Sequence, residues 1–265
     1  MPPAYRVRRR RAGPARYFHA LFVVACRGVG RAGEVEWKVS EMKYSWILFD
    51  ADETLFRFDA YQGLRLMFSR FNVDFSVEDY QAYEAVNQPL WVDYQEGRIT
   101  SRQLQEVRFE GWAQRLNMTA CAINDAFVQA MTEICEPLPG ARELVLSLRG
   151  RVRMGIITNG FTAMQNERLQ RTGLSDAFAT LVVSEEVGVA KPDVAIFEHA
   201  FALMDNPPRE QILMVGDNPH SDILGGINAG IDTCWLNTRD EPAPQGITPS
   251  YQVGSLRELQ QILLA

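Results

Sequence analysis

Short apolar runs alternate with helical patterns along most of this chain, and no other feature of the sequence restricts its fold as much. The apolar runs predict buried strands at 46–49, 154–157, 181–183, 212–215 and 233–236. Between the later runs, apolar residues recur at the spacing of a helix packed on a sheet, for example at Phe197, Ala200, Phe201 and Met204. This alternation predicts an α/β fold, a Rossmann-like parallel sheet whose ligands bind beyond the carboxyl ends of its strands.

The interval 58–137 departs from this alternation because it contains no convincing strand. Three apolar stripes at helical spacing occupy it instead: Leu64, Met67, Phe68 and Phe71; Phe109, Trp112, Ala113 and Leu116; and Ile123, Ala126, Phe127, Ala130, Met131 and Ile134. The stripes predict an all-helical cap, inserted after the first strand, with mostly its own core. We therefore expect a catalytic α/β core at 42–57 and 138–265, and a helical cap at 58–137 that covers the site.

Residues 1–41 differ in charge from the rest of the chain. They carry nine basic and three acidic residues, whereas the whole chain has a formal charge of −6. The arginines at 8–11 and the following apolar run imitate a secretory signal, but the run is short and contains His19. The glycines of 28–33 fit Gly-x-Gly-x-x-Gly, yet leave no room for the helix of a dinucleotide site. We interpret 1–41 as a basic extension, either disordered or a misassigned start, because Met42 directly precedes the first strand.

Composition argues against several classes of function. The chain has 33 acidic and 27 basic residues, whereas nucleic-acid binding needs a basic surface. No apolar stretch approaches the roughly 18 residues of a membrane span. The four cysteines are widely spaced, which argues against a zinc site or a disulfide framework. Free thiols indicate a reducing compartment, so we expect a cytoplasmic protein that binds neither nucleic acid nor membranes.

Two carboxylates, Asp50 and Asp52, directly follow the first predicted strand. Unpaired charge is costly to bury, so acids placed here usually need a metal ion or a cationic partner. The alternative is a turn or a helix cap that uses Asp52 or Thr54. This segment alone does not decide between the two.

The ends of the later strands carry complementary groups. Thr158 and Asn159 offer a hydroxyl and amides suited to an anion. Lys191 follows the third strand, and Asp217 and Asp222 follow the fourth. Each segment alone is also compatible with a turn, a cap or a solvated lysine, but in a parallel sheet these strand ends converge on one crevice. Oxygen ligands for a hard cation beside an anion site predict Mg²⁺ together with phosphate.

In combination, these segments resemble the motifs of the haloacid dehalogenase superfamily of phosphohydrolases, which are Asp-x-Asp-x-Thr, Ser/Thr, Lys and Gly-Asp-x-x-x-x-Asp. The matching segments are 50–54, Thr158, Lys191 and 216–222. The resemblance covers about 42–265. It implies a Mg²⁺-dependent phosphomonoesterase, with Mn²⁺ as a substitute for the ion.

The resemblance also implies a role for each matched residue. Asp50 would be the nucleophile that forms an aspartyl-phosphate, and Asp52 the general acid and base. The metal ligands would be Asp50, the Asp52 carbonyl and Asp217, with Asp222 orienting the metal-bound water or the lysine. The implied phosphate-binding groups are Lys191, Thr158 and Asn159, of which Lys191 and Thr158 also count as catalytic.

The cap segment 89–95 resembles the bacterial pyrimidine 5′-nucleotidases of this superfamily. That resemblance implies a small-molecule nucleotide substrate, namely dUMP, UMP or dTMP, hydrolysed to nucleoside and phosphate. Trp91 and Tyr94 are the candidate substrate contacts, although core packing is the alternative for each. We expect a monomer or a homodimer.

Three alternative functions follow from the same residues. A phosphosugar phosphatase would share every core motif and differ only in the cap, so it stays open. A non-catalytic binding or regulatory pseudo-phosphatase predicts the loss of a motif acid, and none is missing. A dehalogenase would not need Asp52, because a halide leaves without a proton.

Overall fold

The computed structural model describes residues 42–265, and the predicted basic extension with its glycines at 28–33 lies outside the described residues. A parallel sheet forms the centre of the described part. Its strands are β1 (Trp46–Phe49), β2 (Arg153–Thr158), β3 (Thr180–Val183), β4 (Ile212–Gly216), β5 (Asp232–Leu236) and β6 (Tyr251–Val253). The six strands are arranged in the order β3-β2-β1-β4-β5-β6. The predicted fold class, a Rossmann-like parallel sheet with helices, is confirmed.

Helices connect these strands. They are α1 (Ala60–Ser69), α2 (Val77–Gln95), α3 (Ser101–Val107), α4 (Glu110–Leu116), α5 (Ala120–Ile134), α6 (Ala141–Leu148), α7 (Thr162–Thr172), α8 (Ser184–Val187), α9 (Val194–Leu203), α10 (Leu224–Asn228) and α11 (Leu256–Leu264). A π-helical turn, Pro219–Ile223, precedes α10. Within residues 42–265, no helix has the length and apolar character needed to cross a bilayer.

β1 is buried on both faces, which explains its uninterrupted apolar sequence. Ile47 and Phe49 pack into one cluster with residues of α6 and α11, whereas Trp46 and Leu48 pack into another with residues of α9. Side chains alternate between the faces of a strand, so a strand covered on both sides must be apolar at every position. The sheet is therefore the middle layer between two layers of helices.

The register of β1 with its neighbours aligns the strand ends that carry the predicted site. Phe49 pairs with Ile156 of β2 and with Val215 of β4. β1 ends at Phe49, and beyond these pairs β2 continues for only two residues and β4 for only one before the chain turns away. The predicted site residues that follow β1, β2 and β4 therefore emerge at one edge of the sheet.

The strand β6 was not predicted from the sequence. This edge strand has three residues, pairs only with β5 among the described strands, and carries an exposed glutamine, Gln252, at its centre. A run this short and partly polar lacks the apolar pattern of the buried strands.

The interval between β1 and β2 is helical, as predicted. The three predicted apolar stripes belong to one hydrophobic cluster, which α7 joins through Met164. Within it, the rings of Phe68 and Phe75 stack with centroids 4.7 Å apart. Capping boxes at Ser76 and Thr100 begin α2 and α3. The exact division into core and cap at residues 58 and 137 stays a prediction.

Candidate active site

Lys191 lies at the centre of the site, and its buried ammonium group contacts two carboxylates. Nζ donates hydrogen bonds to Asp50 Oδ1 at 2.6 Å and to the carbonyl oxygen of Ile157 at 2.7 Å, and it lies 2.7 Å from Asp222 Oδ1. Burial lowers the pKa of Lys191, but Asp222 and Asp50 raise it more, so the net pKa lies above its usual value. The ammonium group therefore stays charged and links the segment after β1 to the turn after β4.

Three carboxylates crowd around this lysine. Oxygens of Asp50, Asp217 and Asp222 all lie within 4.8 Å of one another. Burial raises the pKa of Asp50 to about 7, with Lys191 opposing the shift and Asp222 adding to it. Burial, together with Asp222 and Asp50, raises the pKa of Asp217 to about 8. Like charges held this close repel one another, and a cation among them relieves the repulsion.

The chemistry of these groups fits Mg²⁺. This ion takes oxygen ligands and is usually held by one or two carboxylates together with phosphate oxygens of the substrate. Asp50 and Asp222 are buried, whereas Asp217 is partly exposed, so a ligand can approach the cluster from the side of Asp217. Three carboxylates beside one lysine leave an excess of negative charge, which a divalent cation balances.

Thr54 connects the segment after β1 to Asp217. Its Oγ1 donates a hydrogen bond to Asp217 Oδ1 at 3.3 Å and accepts one from the Asp217 backbone N–H at 3.1 Å. On the other side, Trp235 Nε1 donates to the Asp217 carbonyl oxygen at 2.8 Å. Because Thr54 is fully buried, these contacts fix the direction in which the Asp217 carboxylate points.

Asp222 is held by its own turn. Oδ2 accepts a hydrogen bond from the Asn218 backbone N–H at 3.0 Å, and Oδ1 accepts one from Ser221 Oγ at 3.2 Å. The side chain packs against Gly216, the last residue of β4, where any Cβ would overlap the Asp222 side chain. A glycine at this position therefore allows Asp222 to reach Lys191.

The residues predicted to bind phosphate lie next to Lys191. Thr158 is the last residue of β2, is buried, and its Oγ1 accepts a hydrogen bond from the Gly160 N–H at 3.0 Å. The Asn159 side chain holds the main chain of Lys191: Oδ1 accepts from the Lys191 N–H at 2.8 Å, and Nδ2 donates to its carbonyl oxygen at 3.0 Å. The side chain of Asn159 thus positions the lysine, a contact that the sequence analysis did not foresee.

Asp52 is paired with a buried arginine that sequence reasoning missed. Arg168 Nη1 donates to Asp52 Oδ1 at 2.5 Å, its guanidinium carbon lies 4.7 Å from the centre of the Phe56 ring, and Nη2 donates to Gln165 Oε1. The sequence does contain a signal for this residue. Arg168 lies four residues after Met164, on the buried face of α7, where an arginine requires a partner.

A cavity of about 250 Å³ extends from these groups to the helices that follow β1. Asp50, Asp52, Thr158, Asn159, Lys191, Asp217 and Asp222 all line it. Trp91 of α2 lines it too, together with Phe127 and Phe161. Tyr94 is not among the lining residues; its hydroxyl lies 2.7 Å from Ser184 Oγ in a buried hydrogen bond. The structure therefore brings Trp91, but not Tyr94, to the cavity that contains the predicted site.

Arg108 also lines this cavity and was not predicted. It directly follows the last residue of α3, as its C-cap, and only 5% of its surface is exposed. Leu104, four residues earlier on the same helix, is fully buried. As with Arg168, the signal was a charged residue on the apolar face of a helix.

Comparison with known proteins identifies the family that has this arrangement of residues. A family profile for haloacid dehalogenase-like hydrolases matches residues 44–230. The chain belongs to this family. Pyrimidine 5′-nucleotidase YjjG of Escherichia coli K12 is 59% identical to the chain over 222 residues, which is 84% of this chain and 99% of the relative. The resemblance expected from the motifs is confirmed.

Two further similar proteins match most of the chain. Pyrimidine 5′-nucleotidase PynA of Streptococcus pneumoniae R6 is 33% identical over 231 residues, which is 84% of this chain and 96% of the relative. Among solved structures, the magnesium-bound crystal structure of the hydrolase YfnB of Bacillus subtilis superimposes with a TM-score of 0.74 at 30% identity, covering 84% of this chain and 100% of that one. These matches span both the sheet and the helices between β1 and β2.

Proposed function

We propose that this protein is a Mg²⁺-dependent phosphomonoesterase that hydrolyses pyrimidine nucleoside 5′-monophosphates through an aspartyl-phosphate on Asp50. The observation that carries the proposal is the contact of Lys191 with Asp50 and Asp222, beside Asp217 and in the wall of a cavity. The choice of substrate is supported by the names of two relatives, YjjG and PynA, both described as pyrimidine 5′-nucleotidases. The magnesium-bound structure of YfnB supports the choice of ion, with Mn²⁺ proposed as its substitute.

Asp50 is the proposed nucleophile. One of its carboxylate oxygens attacks phosphorus, the bond from phosphorus to the 5′ oxygen breaks, and the nucleoside leaves. Lys191, 2.6 Å from Asp50 Oδ1, favours the ionised carboxylate that this attack requires. A bound Mg²⁺, held by Asp50, Asp217 and the Asp52 carbonyl, would supply further positive charge next to the transferring phosphoryl group.

Asp52 is proposed to move the proton in both steps. It donates a proton to the 5′ oxygen as the nucleoside leaves, and it accepts a proton from the water that then hydrolyses the acyl-phosphate. Asp52 is partly exposed and lines the cavity, whereas its partner Arg168 is buried. The ion pair therefore fixes one oxygen, Oδ1, and leaves the other carboxylate oxygen for the leaving group.

The remaining groups are proposed to stabilise the transferring phosphoryl group and to hold one another in position. Thr158 ends β2, and the Asn159 side chain holds the backbone of Lys191. Fixed positive charge and N–H or O–H donors aimed at the phosphoryl oxygens are the main source of rate in phosphoryl transfer. Asp222 is proposed to act through Lys191, by keeping its ammonium group directed at Asp50.

The experiment is phosphate release, with Mg²⁺ or Mn²⁺, from dUMP, UMP and dTMP beside ribose 5-phosphate and other sugar phosphates. We expect the pyrimidine nucleotides to have the highest kcat/KM, and we expect Asp50→Asn to abolish turnover because an amide cannot be phosphorylated in this way. Asp74→Asn is the matched control, because Asp74 is exposed in a loop. Sugar phosphates that outrun the nucleotides would favour the phosphosugar phosphatase, and a normal turnover of Asp50→Asn would exclude the mechanism.

A further inference from the structure

Arg108 lies in the wall of the cavity and has no role in the chemistry assigned above. Its guanidinium carbon is 5.1 Å from the ring centres of Phe109 and Phe161 and 5.2 Å from that of Phe127. Only 5% of the residue is exposed, although its side chain borders the same cavity as Asp50. Arg108 therefore combines burial among aromatic rings with access to the space in which a substrate would lie.

Arg108 has a buried hydrogen-bond donor that is not used. Nη2 donates to Asn124 Oδ1 at 2.5 Å, and the Tyr83 hydroxyl is a further hydrogen-bond neighbour of the guanidinium group. Within residues 42–265, however, no partner is found for Nε. Asn124 is itself engaged, since its Nδ2 donates to Gln105 Oε1 at 2.9 Å. A guanidinium group offers five N–H donors, and the buried Nε–H has no acceptor on the described part of the chain.

The neighbours of Arg108 do not supply a negative charge either. Burial raises the pKa of the Tyr83 phenol, so Tyr83 is neutral near neutral pH, and the Asn124 amide carries no charge. Burial likewise lowers the pKa of Arg108. A buried cation with unsatisfied donors is unfavourable unless a ligand provides acceptors.

The surroundings of Arg108 indicate which acceptors would fit. Trp91, Phe127 and Phe161 line the cavity with it, and the Trp91 and Phe161 rings lie 5.5 Å apart. Aromatic side chains pack well against a flat ring, and an arginine beside them can donate to oxygen atoms at the edge of that ring. Asp50 and Lys191 line the same cavity, and the proposed function assigns them to the phosphate.

We propose that Arg108 recognises the base, by donating hydrogen bonds to a carbonyl oxygen of a pyrimidine that packs against Trp91 and Phe161. This inference rests on the proposed function, which supplies the phosphate end of the cavity. Arg108 would then select nucleotides over sugar phosphates, because a substrate without a base leaves the guanidinium donors unpaired.

The test compares UMP with ribose 5-phosphate, which has the same phosphoester and sugar but no base. We expect Arg108→Met to lower kcat/KM for UMP about 10- to 100-fold, the cost of losing a hydrogen bond to a charged group, and to leave kcat/KM for ribose 5-phosphate unchanged. Arg102→Met is the matched control, because Arg102 lies on the exposed face of the same helix and pairs with Glu106. An equal loss on both substrates would mean that Arg108 serves the fold and would overturn the proposal.

A second measurement uses the native chain, so that it does not depend on the folding of a variant. One substrate is 2-thiouridine 5′-monophosphate, in which sulfur replaces the 2-oxygen, and the other is the 5′-monophosphate of a pyrimidin-2-one riboside, which lacks the 4-oxygen. A kcat/KM reduced about tenfold or more for one of them identifies the carbonyl that Arg108 contacts, whereas unchanged values for both overturn the proposal. Failure of the proposed function looks different, because the native chain would then hydrolyse ribose 5-phosphate but not UMP.

Discussion

Arg168 and Asp52 form an ion pair in which only the carboxylate is accessible. Nη1 of Arg168 lies 2.5 Å from Asp52 Oδ1, and the two side chains are 1% and 26% exposed. The arginine is in turn held between the Phe56 ring and Gln165. Breaking a buried ion pair leaves a buried charge without a partner, so Arg168 is expected to hold Asp52 in one orientation.

The first prediction concerns this pair and the proton that Asp52 donates. Arg168→Met should lower kcat/KM for UMP about 10- to 100-fold, because the carboxylate loses its fixed position at the leaving oxygen in the step that phosphorylates Asp50. The loss should be much smaller for p-nitrophenyl phosphate, whose leaving group needs no proton. Steady-state kinetics with both substrates measure this difference.

Arg171→Met is the control for Arg168→Met. Arg171 lies on the same helix, is exposed, and donates only to the backbone carbonyl of Glu133 among the described residues. The Arg171→Met variant should leave the rates with both substrates unchanged. If Arg168→Met lowered kcat/KM equally for the two leaving groups, the arginine would be acting on the fold and not on Asp52.

The second prediction concerns the crowded carboxylates. The proposed Mg²⁺ would relieve the repulsion among Asp50, Asp217 and Asp222, so it should bind the folded chain and raise its melting temperature in a concentration-dependent way. Asp217→Asn should remove most of this rise, and EDTA should abolish phosphate release by the native chain. Differential scanning fluorimetry over a magnesium titration is the measurement, with Asp74→Asn as the control that keeps the full rise. A rise of the same size in Asp217→Asn would place the ion elsewhere.

The third prediction concerns Gly216, against which the Asp222 side chain packs. A Cβ at this position would overlap Asp222, so Gly216→Ala should destabilise the fold by about 1–3 kcal/mol and lower kcat by moving Asp222 away from Lys191. Gly111→Ala is the control, because a Cβ there meets no atom within 4 Å and alanine favours the helix. Urea unfolding and initial rates test both variants; an unaltered Gly216→Ala enzyme would contradict the packing described here.

The fourth prediction is a pH dependence of stability at the start of β5. Burial raises the pKa of Asp232, but hydrogen bonds from Lys43 Nζ and Tyr44 Oη lower it by more than burial raises it. The net pKa is therefore below its usual value. A carboxylate with a lowered pKa in the folded chain stabilises the fold above its unfolded pKa of about 4 and loses that contribution as the pH falls through the folded value. Urea unfolding of the native chain and Asp232→Asn should therefore differ at pH 7 and converge in acid. A difference that stays constant with pH would exclude this origin.

The sheet and the motif residues could be predicted from sequence because both depend on local pattern. Phe49 ends an apolar run and Asp50 follows it, so the strand and the acid are visible together, and parallel topology then brings Lys191 and Asp217 to the same edge. Arg168 could not be found this way, because its partner Asp52 is 116 positions away and their meeting depends on how α7 packs.

The cap shows the same limit. The helical stripes correctly indicated which residues would pack together, but Trp91 and Tyr94 lie only three positions apart on α2, and the sequence offers no means of separating them. One lines the cavity, and the other bonds to Ser184. That difference depends on the small rotation of a helix around its axis, which periodicity does not specify.

The central position of β1 has a consequence for how the protein loses activity when it is denatured. Phe49 is paired on both sides, with β2 and with β4, so the backbone that leads to Asp50 can be released only when the middle of the sheet opens. Amide hydrogens of this strand should be among the slowest to exchange with deuterated solvent. Activity should therefore be lost in the same cooperative transition as the fold, and not in an earlier transition under milder conditions.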